Sequence, residues 1–181
     1  MRETAARRLP WTISAEPFDS PDAWALLREY YTEVADRYFE LHEGRRATPE
    51  EIAEGLAGYP KDHLTPPDAL LLIARYGEVA GGCAGVRLLD GRTAELKQLF
   101  VRVPHRGLGG AGGLLRAAEA AAARMGAERI RLDTRLDLVE ALALYRRRGF
   151  VEIARYHDDP YAEIFFEKRL DGPDGEGRLR P

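Results

Sequence analysis

Val101-Arg-Val-Pro-His-Arg-Gly-Leu-Gly-Gly-Ala-Gly-Gly-Leu-Leu115 is the stretch on which the reading of the fold turns. Each of its glycines between 107 and 113 would cost a helix about 1 kcal/mol relative to alanine, so their bareness serves something other than propensity. An apolar segment, 94–103, runs into this turn, and an alanine-rich helical segment, 109–125, runs out of it. Strand, glycine turn and helix in that order present free backbone N–H groups at the positive end of a helix dipole, a site suited to a phosphate or pyrophosphate. Arg102, His105 and Arg106 add positive charge beside it. A purely structural reading, in which small residues let the helix pack closely on a sheet, accounts for the same glycines.

Upstream, Thr12 to Glu16 alternates like a short strand, and Asp19-Ser20-Pro21 supplies an N-cap with proline in the first helical turn. Trp24, Leu26, Leu27, Tyr31, Val34 and Phe39 then fall at helical spacing up to about Leu41. Thr48 and Glu51 form a capping box around Pro49, predicting a second helix that ends near Gly58-Tyr59-Pro60. Segments 68–75 and 79–88 read as strands, and Asp90-Gly91 is a hairpin signal before 94–103. Downstream, the pattern predicts a strand over 130–134, a helix over 138–148 and strands over 150–156 and 161–169. The expected order is β-α-α-β-β-β-α-β-α-β-β, one domain over 12–170 between an N-terminal arm (1–11) and a disordered tail (171–181).

The 181 residues, 45% apolar and 31% charged, suit one folded domain. A single cysteine, Cys83, leaves no intramolecular disulfide and no Cys-based zinc site, and in a strand it reads as a small buried hydrophobe. No metal is expected. The N-terminus lacks an apolar signal core and the longest aliphatic run, 69–74, is far too short for a membrane span, so the expectation is a cytoplasmic protein with no membrane partner. No basic stripe interleaved with aromatics points to nucleic acid. The net charge of −3 is uneven: residues 1–90 carry 10 basic and 16 acidic groups, the remainder 17 and 14. That bias suggests a cationic ligand or, equally, a solvated acidic surface.

Gly107, Gly109 and Gly112 also satisfy the dinucleotide pattern, with Asp133 downstream where a ribose-binding acid would stand. Against an NAD(P) site, Pro104-His105-Arg106 separate strand from glycines, and too little chain follows for a doubly wound sheet. No Gly-Lys-Ser/Thr follows the glycines, which excludes a P-loop.

Arg106, Gly109 and Ala111 match the Gln/Arg-x-x-Gly-x-Gly/Ala signature of the GCN5-related N-acetyltransferases (GNAT), which the sequence resembles over 12–170. Segment 94–101 resembles that family's fourth strand, Ala141–Phe150 its later helix-to-strand segment, and 156–168 a bacterial branch with aromatic, Asp and Pro residues between the last strands. The resemblance implies an α/β fold with a mixed, mostly antiparallel central sheet flanked by helices. It implies two parallel strands splaying to form an acyl-CoA slot, with acetyl-CoA as cosubstrate. Backbone groups of Leu99, Phe100 and Val101 would receive the pantetheine arm, and Arg106, Gly107, Leu108, Gly109, Gly110, Ala111 and Gly112 the pyrophosphate. Leu138 stands where many members carry an asparagine, a departure that keeps a non-catalytic acyl-CoA-binding module as an alternative.

Transfer of acetyl to an amine requires a base, because a lysine-like ammonium (pKa ~10.4) must lose a proton before attack. Glu95, beside the cofactor strand, is the leading candidate, against a plain strand carboxylate that is solvated or paired with Arg92 or Lys97; Asp133 is second. Tyr145 matches the family's tyrosine near the thioester sulfur and is the candidate proton donor, although spacing alone makes it a packing residue. Tyr30 and Tyr31 on the first helix and His157 and Asp158 between the last strands flank the acceptor cleft of the resembling family. The expected acceptor is a primary amine of a small molecule or peptide; a homodimer and a monomer are both open.

Overall fold

In the computed structural model, which describes residues 9–57 and 66–170, the chain builds one seven-stranded sheet with helices on both faces. Strand β1 (Trp11–Glu16) leads into α1 (Pro21–Glu43), and the Ser20 hydroxyl caps that helix by accepting from the Ala23 N–H at 3.1 Å. Helix α2 (Pro49–Ala57) opens on the reciprocal bonds the sequence predicts: Thr48 N–H to Glu51 Oε2 at 2.8 Å and Glu51 N–H to Thr48 Oγ1 at 3.2 Å. Its expected end near Pro60 lies outside the described residues, as do residues 1–8 of the expected arm and the tail from 171.

Strands β2 (Ala69–Tyr76), β3 (Val79–Leu88) and β4 (Thr93–Val101) form the antiparallel meander. Then come α3 (Gly110–Arg124), β5 (Arg129–Thr134), α4 (Val139–Arg147), β6 (Val151–Ile153) and β7 (Ile164–Arg169). The sheet order is β1-β2-β3-β4-β5-β7-β6, and every pairing is antiparallel except β4 with β5. Two expectations need correction. The strand expected to reach Val103 ends at Val101, because Pro104 cannot donate to a ladder and 103–105 tighten into a 3-10 turn. The last two strands are shorter than expected, since turns around Asp159 and Pro160 take up the chain between Ile153 and Ile164.

The two faces of the sheet carry different layers. Leu114, Leu115, Ala118 and Ala122 of α3 pack with Leu72, Val86, Leu96, Ile130 and Leu132, and α4 adds Leu142 and Tyr145 to that core. On the opposite face Ala23, Leu26 and Leu27 of α1 cover Leu71, Ile73, Cys83 and Phe100. Cys83 is fully buried and donates weakly to the Gln98 carbonyl (3.5 Å); burial pushes its thiol up to about 12.

Candidate active site

The site begins where two parallel strands part. Strands β4 and β5 are in register only over Thr93, Ala94 and Glu95, opposite Arg129, Ile130 and Arg131. Just beyond, β4 bulges: Gly85 faces Lys97 and Cys83 faces Phe100, so Gln98 and Leu99 stand together opposite Ala84, with Gln98 at φ +53°. The bulge bends β4 away from β5, and past Glu95 its β5-side edge has no strand partner among the described residues. The opening continues into a cleft of about 580 Å³ walled by Leu99, Phe100 and Val101, the glycine turn, α4 and the inner side of α1.

The glycines of the turn are bare for separate reasons. Gly107 (φ +75°) and Gly109 (φ +92°) hold left-handed backbone that a side chain would strain, whereas a Cβ on either would meet open space. At Gly110 a Cβ would lie 2.6 Å from the Trp11 ring, and at Gly112 it would collide with the Arg148 guanidinium. The N-terminus of α3 has Gly109 as its N-cap and no side-chain cap, so its first N–H groups remain available to an anion in the cleft. Arg147 and Arg148 line the same cleft. These features fit the pyrophosphate and pantetheine of a CoA ester.

Of the cofactor residues expected from sequence, all but Leu108 line the cleft. Leu108 turns its carbonyl outward to accept the Trp11 indole N–H at 2.9 Å. Trp11, placed in the N-terminal arm by the sequence reading, is thus the first residue of β1 and the support of the turn; its isolation in sequence gave no signal of this. The positive character expected of Arg102 and Arg106 is largely cancelled. Arg102 pairs with Glu29 at 2.7 Å, and Arg106 pairs with Glu33 at 2.5 Å while donating to the Val101 carbonyl at 2.8 Å. Arg37, one turn further along α1, crosses to Glu140 on α4 at 2.9 Å. The α1 residues 29, 33 and 37 therefore tie that helix to both walls of the cleft, and part of the acidic excess in the first half of the chain is used in doing so. Arg147 and Arg148, which sequence reading passed over, are the cations that face the cleft beside the turn.

A charged network lies at the splay on the α1 face. Glu95 is fully buried; Arg87 donates to its Oε2 at 2.6 Å, and the Tyr156 hydroxyl donates to its Oε1 at 2.9 Å. Of the two partners weighed for a plain strand carboxylate, Arg92 is not one, because it pairs with Glu128. Lys97 lies 3.7 Å from Glu95 and 3.2 Å from Asp133 Oδ1, which also meets His157 Nε2 at 3.2 Å. Glu95, Asp133 and His157 place ligand atoms within 4.8 Å of one another. Two resident cations, Arg87 and Lys97, already balance the two carboxylates, so the donor set is that of an ion-pair network. Burial and the Glu95 carboxylate hold the Tyr156 phenol far above its ordinary range.

The remaining candidates divide. Tyr30 reaches the cleft. Tyr31 instead lays its hydroxyl on Gly55 of α2, in the space a Cβ would need. Asp158 is fully exposed and 3.9 Å from Arg155, so it is not brought to the site with its neighbour His157. Tyr145 is 6% exposed, its ring between Phe150 (5.8 Å) and Phe166 (6.1 Å) on the α3 face. Burial, with the charge of Asp133 adding to it, raises its phenol well above the normal value. Ala141 and Leu144 of the same helix line the cleft, whereas the Tyr145 ring lies in the core behind them.

Comparison with known proteins agrees with this geometry. The Acetyltransferase (GNAT) family matches residues 21–150. An IAA acetyltransferase of Azospirillum brasilense is 32% identical over 111 residues, covering 59% of this chain and 72% of that protein. A Klebsiella pneumoniae structure assigned as an acyl-CoA N-acyltransferase superposes with a TM-score of 0.63 at 26% identity, over 89% of this chain and 98% of that one. A GNAT family acetyltransferase of Elizabethkingia anophelis with acetyl-CoA bound shares the fold, with a TM-score of 0.58 at 19% identity over 88% and 98% of the two chains. A parallel strand pair parted over an uncapped glycine turn, with a family match across most of the domain, makes this chain a member of the GNAT family of acetyltransferases.

Proposed function

We propose that the chain transfers the acetyl group of acetyl-CoA to a primary amine of a small molecule or peptide by direct attack. The observation that carries this reading is the short β4–β5 register, which opens a slot between two chemically different faces. On one face lie the α3 N-terminus and Arg148, suited to phosphates; on the other lies the Glu95–Asp133–His157 network, suited to moving a proton. Acetyl-CoA supplies the activated carbonyl. The chain's own part is to receive the pantetheine amides along the free edge of β4, to hold the pyrophosphate on the backbone of 109–112, and to keep the thioester out of water between α1 and α4. In this reading Tyr145, whose phenol burial keeps protonated, returns a proton to the departing sulfur.

Isothermal titration with acetyl-CoA and with NADPH, followed by thiol release over a panel of polyamines, amino acids, aminoglycosides and peptide N-termini, tests the proposal. Acetyl-CoA should bind and NADPH should not, and at least one amine should release CoA. Binding of NADPH alone, or tight CoA binding with no release on any amine, would overturn it.

A further inference from the structure

The network at the splay contains two carboxylates, and their environments assign them different work. Glu95 has no exposed surface, and both its oxygens are occupied: Oε2 by Arg87 with Lys97 behind it, Oε1 by the Tyr156 hydroxyl. It is fixed as the counter-ion of Arg87 and has no room to meet an incoming amine. Asp133 is the last residue but one of β5, and its side chain keeps 17% of its surface exposed. Its Oδ1 receives both Lys97 Nζ and His157 Nε2, while its Oδ2 accepts no hydrogen bond among the described residues.

The tautomer of His157 follows from its other nitrogen. The Asp159 backbone N–H donates to Nδ1 at 3.3 Å, so the neutral ring carries its hydrogen on Nε2 and donates it to Asp133. Tyr156 and Phe165, with ring centroids 4.7 and 5.0 Å away, hold the imidazole edge-on and leave it little freedom to turn. The charged and titratable groups packed beside Asp133 are thus Lys97 and Glu95 from β4 and His157 from the segment before β7, with the Tyr156 hydroxyl held on Glu95.

Resting on the amine reading above, we infer that Asp133 Oδ2, not Glu95, takes the acceptor's proton, and that His157 and Lys97 are positioning residues that grip Oδ1 so that Oδ2 faces the amine. The substrate ammonium gives one proton to Asp133. The freed lone pair forms the N–C bond to the acetyl carbonyl carbon as the C–S bond breaks. A second proton from that nitrogen passes to the leaving thiolate, through the Tyr145 hydroxyl, and Asp133 returns its proton to water.

The test compares a strongly basic with a weakly basic amine, both drawn from the panel that the wild type acetylates, at saturating acetyl-CoA. Asp133→Asn should lose about 100- to 10,000-fold in kcat with the strongly basic amine and far less with the weakly basic one. His157→Phe, which keeps the ring packing but not the donor, should cut kcat roughly 10- to 100-fold with the same bias and leave the KM for acetyl-CoA unchanged. His157→Gln, whose amide can donate to Oδ1, should recover most of that loss. Glu95→Gln should lower the melting temperature and slow both amines alike. An active wild type with an unaffected Asp133→Asn, or a basicity bias that appears in Glu95→Gln instead, overturns the assignment alone. A wild type that acetylates no amine overturns the amine reading and this assignment with it.

Discussion

The indole N–H of Trp11 donates to the carbonyl of Leu108 across 2.9 Å, fastening the first residue of the first strand to the glycine turn 97 positions later. The same ring fills the space that a side chain on Gly110 would occupy, and it stands 6.0 Å from His105. The turn is therefore shaped from outside by an aromatic plate. Trp11→Phe keeps most of that plate and removes the donor. We expect a loss of about 1 kcal/mol in denaturant unfolding together with weaker acetyl-CoA binding. Equal stability and equal affinity would show that the bond does not hold the turn.

Gly109 has free space where a Cβ would go, yet its φ of +92° is a conformation in which a branched side chain is strained by more than the 1–3 kcal/mol typical of such positions. Gly109→Val should rotate the N–H groups of 110–112 out of the cleft and abolish measurable acetyl-CoA binding in calorimetry while the circular dichroism spectrum stays folded. A folded variant that binds normally would make the turn structural only.

Glu33 lines the cleft beside the glycine turn and holds Arg106 at 2.5 Å. A carboxylate there repels incoming phosphates and occupies a guanidinium they could use. Glu33→Gln is expected to tighten acetyl-CoA binding severalfold at low salt, with the gain shrinking as ionic strength rises. Weaker binding would mean that the strap between α1 and the turn is needed for the site's shape.

Tyr145 and Tyr156 both have phenols raised by burial from an ordinary value of 10.0, and Cys83 has its thiol raised from 9.0 to about 12. For a neutral acid raised in the folded state, stability is complete below the unfolded value and is lost as pH climbs through and above it. Stability should therefore fall from about pH 9 upward. Tyr145→Phe should move the alkaline unfolding midpoint to higher pH, read by fluorescence, relative to its own stability at pH 7. Cys83 should resist iodoacetamide at pH 8 until denaturant is added.

The amino-acid sequence by itself determined the four α-helices among the described residues and the order of strands along the chain, because capping pairs such as Thr48 with Glu51, helical spacing along 21–43 and the glycines before α3 are local signals that act within a few residues. It also marked the chemical candidates at Glu95, Asp133 and His157. How each of them is held was decided only by tertiary structure. Glu95 is sealed by Arg87 from the neighbouring strand and by Tyr156 from 61 residues away, while Asp133 Oδ2 accepts no hydrogen bond among the described residues. Likewise the cations nearest the glycine turn in sequence are consumed by Glu29 and Glu33 of α1, and those facing the cleft come from the end of α4. The reason is physical: propensity and capping depend on neighbours along the chain, whereas burial and ion pairing depend on what the fold brings across from elsewhere, and no local pattern encodes that partner.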